Sequence, residues 1–160
     1  MASSNPISRS SAAVQSGRTL AVDYGRRRIG LAISDELGIT AEPLPILERK
    51  NRRDDIRRLR DVARQYTIAL IIVGSPVHLD GHAGEMAEEA SRFAARLQKE
   101  LGLPVKLRDE RLTTWEAEQT LREVTGRKGR GANVDSVAAA ILLREYLEEN
   151  RRRESAKDRD

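Results

Sequence analysis

The chain has no cysteine, which excludes a disulfide framework and any zinc site built on thiolates. Its only two histidines, His78 and His82, stand four residues apart with Asp80 between them. A zinc site needs three or four ligands in a defined geometry, and this Gly- and Pro-flanked segment reads as a loop. Aromatic residues make up only 3% of the chain, too few for a track of bases stacked on aromatic platforms. No run approaches the ~20 apolar residues that span a bilayer. Residues 1–17, rich in Ser and Ala, lack the apolar core of a secretory signal. Together these absences point to a cytoplasmic protein without membrane attachment. Gly25-Arg26-Arg27-Arg28-Ile29-Gly30 imitates part of a P-loop, but Leu31-Ala32 stand where that loop needs Lys and Ser or Thr.

What the chain does have is charge. Charged residues form 34% of its 160 residues, with 29 Lys and Arg against 25 Asp and Glu, and the isoelectric point is about 9.7. The basic residues cluster at Arg26-Arg27-Arg28, from Arg49 to Arg60, from Arg127 to Arg130, and at Arg151-Arg152-Arg153. Such clusters suit a polyanionic partner, although runs on a helix are also what a solvated face looks like. The two clusters flanked by glycine, Arg26 to Arg28 and Arg127-Lys128-Gly129-Arg130, are the better candidates for phosphate contacts.

Apolar periodicity divides the chain into alternating elements. Arg18 to Asp23 and Ile29 to Ser34 read as a hairpin, and Leu44 to Glu48 as a third strand that Pro43 and Pro45 push to a sheet edge. Ile56, Leu59, Val62, Ala63 and Tyr66 recur at helical spacing behind Asn51, a good N-cap. Ile68 to Val73 is a continuous β-branched run, the mark of a strand buried on both faces. A helix carrying Met86, Ala90, Phe93, Ala94, Leu97 and Leu101 follows and stops at Gly102. A strand from Pro104 to Arg108, a helix from Thr113 to Val124 and a last helix from Val134 to Leu147 complete the order. The expected architecture is α/β, a mixed five-stranded sheet flanked by helices in one domain over 18–150. A disordered tail is expected over 1–17 and a charged tail over 151–160. Open sheets of this kind bind ligands beyond the carboxyl ends of their strands.

Three acids lie where that rule gathers them. Asp23 closes Leu20-Ala21-Val22-Asp23, Glu110 follows the last strand, and Asp135 opens the last helix. An Asp ending an apolar strand is costly to bury without a cation or partner. Asp135 shares its helical face with Ala138 and Ala139, small enough to let the helix approach the sheet. Each acid also has an ordinary role open to it: Asp23 in a turn with Gly25, Glu110 beside Arg111, Asp135 at a helix N-terminus. Asp109 rivals Glu110, because strand alternation sets it on one face with Val105 and Leu107.

Asp23-Tyr24-Gly25-Arg26-Arg27-Arg28-Ile29-Gly30-Leu31-Ala32-Ile33-Ser34-Asp35, Val73-Gly74-Ser75-Pro76 with Asp80-Gly81, Asp109-Glu110-Arg111-Leu112-Thr113-Thr114, and Val134-Asp135-Ser136-Val137-Ala138-Ala139 closely resemble the YqgF family, also called RuvX. The likeness runs in order from about Arg18 to Asn150. Ser75, where a Leu-like residue is expected, and the N-terminal tail are the departures. The resemblance implies a ribonuclease H-like fold related to the RuvC resolvases, and a nuclease that matures the 5′ end of pre-16S ribosomal RNA. Its acidic positions fall on Asp23, Glu110 and Asp135, and only this likeness prefers Glu110 to Asp109. Phosphodiester hydrolysis needs an activated water and a stabilised leaving oxygen, which divalent ions supply. Carboxylates without His or Cys favour Mg²⁺ or Mn²⁺.

The expected partner is structured RNA such as pre-rRNA, with branched DNA as the alternative. Contacts are expected from Arg26, Arg111, Thr113, Thr114, Arg127, Lys128 and Arg130, reading backbone and shape. A catalytically inactive nucleic-acid-binding module predicts a damaged acid set, and here the set is complete. An actin-like ATPase needs a second lobe that this chain lacks. Nothing in the pattern selects between a monomer and a homodimer.

Overall fold

The computed structural model describes residues 17–75, 84–109 and 134–159. Three strands come first: β1 (Arg18–Asp23), β2 (Arg28–Ser34) and β3 (Ala41–Glu48). Helix α1 (Arg52–Gln65), strand β4 (Ile68–Ser75), helix α2 (Glu85–Leu101), strand β5 (Val105–Asp109) and helix α3 (Val134–Lys157) follow. The sheet order is β3-β2-β1-β4-β5. β1, β2 and β3 pair antiparallel, while β4 runs parallel to β1 and β5 parallel to β4, so the mixed five-stranded sheet expected from the sequence is present. β3 lies at the edge, where prolines cost no ladder bond toward a further strand. It begins at Ala41, three residues before the expected Leu44, because Ala41, Glu42 and Pro43 still pair with Ser34, Ile33 and Ala32.

Strand alternation splits the core in two. Leu20, Val22, Ile29, Leu31, Ile71 and Val73 face α1 and α2, meeting Ile56 and Leu59 from the first helix and Phe93 and Leu97 from the second. Ala21, Ala32, Leu70 and Ile72 face α3, against Ala139, Leu142, Leu143 and Leu147. At roughly 1.5–3 kcal/mol for each large apolar side chain fully buried, these two layers supply the driving force for folding.

One helix start and one helix end behave as local chemistry dictates. Asn51 caps α1, its Oδ1 accepting the Asp54 N–H at 2.8 Å. Gly102 ends α2 in the left-handed conformation, φ 69°. The end of α3 corrects the sequence reading, which stopped the helix at Leu147. It continues to Lys157 because Arg108 of β5 donates two hydrogen bonds to the Glu149 carboxylate, at 2.7 and 2.8 Å. Arg108 also lies against the Tyr146 ring. The segment beyond is rich in Glu, Arg, Ala and Lys, all good helix formers.

None of the described helices is long and apolar enough to cross a membrane. Residues 1–16 of the N-terminal tail, His78 and His82, the helix expected over 113–124, and Glu110, Arg111, Thr113, Thr114, Arg127, Lys128 and Arg130 lie outside the described residues.

Candidate metal-binding carboxylate site

Asp23 is the last residue of β1 and sits in register between Gly30 of β2 and Gly74 of β4. Alternation from Ala21, which packs toward α3, sends the Asp23 side chain to that same face. Gly30 also belongs to it, and there the helix comes in closely. A Cβ on Gly30 would overlap the backbone carbonyl of Asp135 and stand 2.9 Å from the Ser136 nitrogen. Asp23 and Asp135 are therefore the two acids flanking Gly30, one across the β1–β2 ladder and the other above it. The sequence expectation that small residues admit α3 to the sheet holds for Ala139, which is fully buried. The contact that matters most is the glycine on the sheet side.

Ser136 secures the approach. The β2–β3 ladder shifts register between Ile29 and Leu31, and the Leu31 N–H donates to the buried Ser136 Oγ at 3.3 Å. On the other side of the site, Arg28 Nε lies 3.7 Å from Asp135 Oδ2. Both side chains are substantially exposed, so this pair is worth about 0–1 kcal/mol.

Asp109 goes to the other face. Register across the parallel strands aligns Asp23 with Gly74 and Arg108, and Ser75 with Asp109. Arg108 reaches Glu149 of α3, while Val105 packs with the α1 and α2 layer. Asp109 thus alternates onto the face opposite Asp23 and Asp135. Among the described residues no group of three His, Asp or Glu side chains gathers closely enough to hold a metal ion. Two carboxylates on one face supply hard oxygen donors of the kind Mg²⁺ and Mn²⁺ take.

The loop behind Asp23 is braced by a cluster that sequence patterns did not reveal. Asp55 in the first turn of α1 is fully buried and accepts from Arg49 Nε at 2.8 Å. Arg49 Nη1 donates to the Tyr24 hydroxyl at 2.9 Å and to the Gly25 carbonyl at 3.0 Å. Its guanidinium lies 4.8 Å from the Tyr24 ring centroid. Burial works against the Arg49 charge, yet the hydrogen bonds to Asp55 and Tyr24 more than offset it and hold its pKa above the ordinary value. The available signal was Asp55 itself, an acid four residues before Leu59 in the apolar stripe of α1. Arg26, expected to contact phosphate, is held by Glu85 at 3.3 Å and Glu89 at 3.1 Å, so a phosphate would have to compete with both.

Replacing Asp55 by alanine should destabilise the fold by about 2 kcal/mol. That is below the roughly 3–5 kcal/mol of a fully buried pair, because Arg49 keeps two other acceptors and some access to water. Urea denaturation followed by circular dichroism measures it; a midpoint unchanged from wild type would mean that Arg49 alone holds the loop.

Residues 17–149 match the family model of RuvX, described as a Holliday junction resolvase. A Koribacter versatilis protein named "Putative pre-16S rRNA nuclease" is 50% identical over 133 residues, 82% of this chain and 87% of its own length. A Geobacillus kaustophilus protein of the same name is 42% identical over 137 residues, 84% of this chain and 99% of that one. Among solved structures, T. thermophilus RuvC in complex with a Holliday junction substrate matches with a TM-score of 0.55 at 15% identity, covering 83% of this chain and 95% of the other. The fowlpox virus Holliday junction resolvase matches at 0.53 and 17% identity, covering 82% and 99%. At such identities the likeness is one of fold, the ribonuclease H-like fold.

Proposed function

The chain belongs to the RuvX family, and from that premise we propose that it is a metal-dependent endonuclease that processes the 5′ end of pre-16S ribosomal RNA. The observation that supports this reading is that Gly30 is paired with Asp23 in the β1–β2 ladder and is closely approached by the backbone of Asp135. This pairing lies at the carboxyl end of β1, where open sheets hold ligands. The relatives' shared name supports the choice of RNA.

Asp23, Asp135 and Glu110, which follows Asp109 in sequence, would hold Mg²⁺ or Mn²⁺. A divalent cation bound there supplies an activated water and stabilises the leaving oxygen. The chain's own part is positional. Gly30 and Ser136 set Asp135 against the sheet, and Arg49 fixes the Gly25 carbonyl two residues beyond Asp23. Arg26, Arg111, Thr113, Thr114, Arg127, Lys128 and Arg130 are proposed to contact the sugar-phosphate backbone, which orients the substrate without reading its sequence.

The test is cleavage of an RNA hairpin with a 5′ single-stranded leader, a plain RNA single strand and a four-way DNA junction. All three are run with Mg²⁺, with Mn²⁺ and with EDTA. Metal-dependent cutting of the RNA hairpin is the expected result. Cutting confined to the four-way junction would move the substrate to branched DNA, which the family's description as resolvases favours. Tight binding without cutting of any substrate would make the chain a binding module.

A further inference from the structure

On the face of the sheet away from Asp23 and Asp135, α1 and α2 wall a groove of about 350 Å³. Arg53, Ile56, Arg57 and Arg60 line it from α1, and Arg96 and Glu100 from α2. Four guanidiniums thus stand against one carboxylate. The arginines of α1 recur as Arg53, Arg57, Arg60 and Arg64, offsets of four, seven and eleven that keep them on one helical stripe. That stripe is about 16 Å long at 1.5 Å per residue.

Two of the lining arginines are engaged by the chain. Arg57 pairs with Asp54 at 2.6 Å, and Arg60 reaches Glu100 at 3.7 Å. Arg53 and Arg96 are exposed, and among the described residues neither has a carboxylate within salt-bridge distance. A groove carrying two uncompensated planar cations beside two partly compensated ones is built for an extended polyanion. The guanidinium fork matches phosphate oxygens two at a time.

The first turn of α1, which gives Arg53 to the groove, also carries Asp55; Asp55 holds Arg49, and Arg49 in turn holds the Gly25 carbonyl two residues beyond Asp23. We infer that this groove binds the phosphodiester backbone of a substrate segment flanking the one presented to Asp23 and Asp135. The nucleic acid passes over the loop of residues 24–27 from one face of the sheet to the other. The inference rests on the nuclease reading above for the class of partner, and its test is independent of cleavage.

The experiment is a fluorescence-anisotropy titration of a labelled RNA hairpin with a 5′ leader, at several salt concentrations, in an Asp23→Asn background. Arg53→Ala/Arg96→Ala is compared with Arg151→Ala/Arg153→Ala, an equal loss of charge on the exposed end of α3. Both pairs are surface substitutions and should leave thermal unfolding unchanged. Losing two phosphate contacts should flatten the log–log salt slope by roughly 1.4–1.8 and weaken binding at 0.1 M salt by about 25- to 60-fold. The α3 pair should change the slope little. Equal effects from both pairs would assign the loss to net charge and overturn the groove, as would an unchanged slope in Arg53→Ala/Arg96→Ala. If the wild-type protein cuts RNA while the groove pair binds normally, only the groove fails. If the groove pair loses its slope while no substrate is ever cut, only the nuclease reading fails. Absence of RNA binding by the unsubstituted chain overturns both.

Discussion

Gly30→Ala should lower stability by about 3 kcal/mol and reduce cleavage by on the order of 100-fold, with the second effect persisting at temperatures where the variant is fully folded. Gly30 is buried at the point where α3 comes down on β2, and a Cβ there would run into the Asp135 carbonyl and the Ser136 nitrogen. Both obstacles are backbone, so no side chain can rotate out of the way. One of the two elements has to move. Overpacking of this kind usually costs about 1–3 kcal/mol, and the upper end applies because a helix and a central strand are both stiff. If α3 yields, the Leu31 N–H loses Ser136 Oγ, and Asp135 shifts relative to Asp23. A displacement of about 1 Å at reacting groups costs roughly 100-fold in rate. Thermal unfolding and single-turnover cleavage with Mg²⁺, measured on the same preparation, separate the two effects. Wild-type cleavage by a destabilised variant would show that β2 gives way and that the close approach does not position Asp135.

Most of this fold was legible because its signals are local. The β-branched run from Ile68 to Val73, the stripe from Met86 to Leu101 and the prolines of β3 each state burial, periodicity or an edge within a few residues. What was not legible depends on residues far apart in sequence. The stretch of α3 past Leu147 is tied to the sheet by Arg108 meeting Glu149, forty-one residues away, and apolar periodicity falls silent after Leu147. The face of Asp109 was uncertain for a related reason. Alternation along β5 placed it with Val105 and Leu107, but which layer those residues met could not be known before β4 and α3 were in place. Gly30 was visible as part of a motif, whereas its role as the floor beneath Asp135 belongs to the tertiary structure. Asp55 looked like another solvated charge in an Arg-rich helix until Arg49 was found beside it.

The site itself predicts a sharp contrast among neighbouring acids. Asp23→Asn, Asp135→Asn and Glu110→Gln should each reduce metal-dependent cleavage by well over 100-fold, while Asp109→Asn leaves it at the wild-type level. Loss of an outer partner to a metal ligand already costs about 10- to 100-fold in affinity or activity, so loss of a ligand should exceed that. Asp109 is spared because it alternates onto the α1 and α2 face of the sheet, away from Asp23 and Asp135. Stability should move the opposite way from activity. Without metal, Asp23 and Asp135 are like charges flanking Gly30, and neutralising one relieves their repulsion. The exposed Arg28–Asp135 pair offsets at most ~1 kcal/mol of that gain. The metal-free Asp23→Asn variant should therefore melt no lower than wild type, and Mg²⁺ should raise the melting temperature of wild type but not of the variant. Calorimetry with and without Mg²⁺ and cleavage assays across the four substitutions check this directly. Full activity in Asp23→Asn would end the carboxylate-site reading, and loss of activity in Asp109→Asn with none in Glu110→Gln would return the third ligand to Asp109.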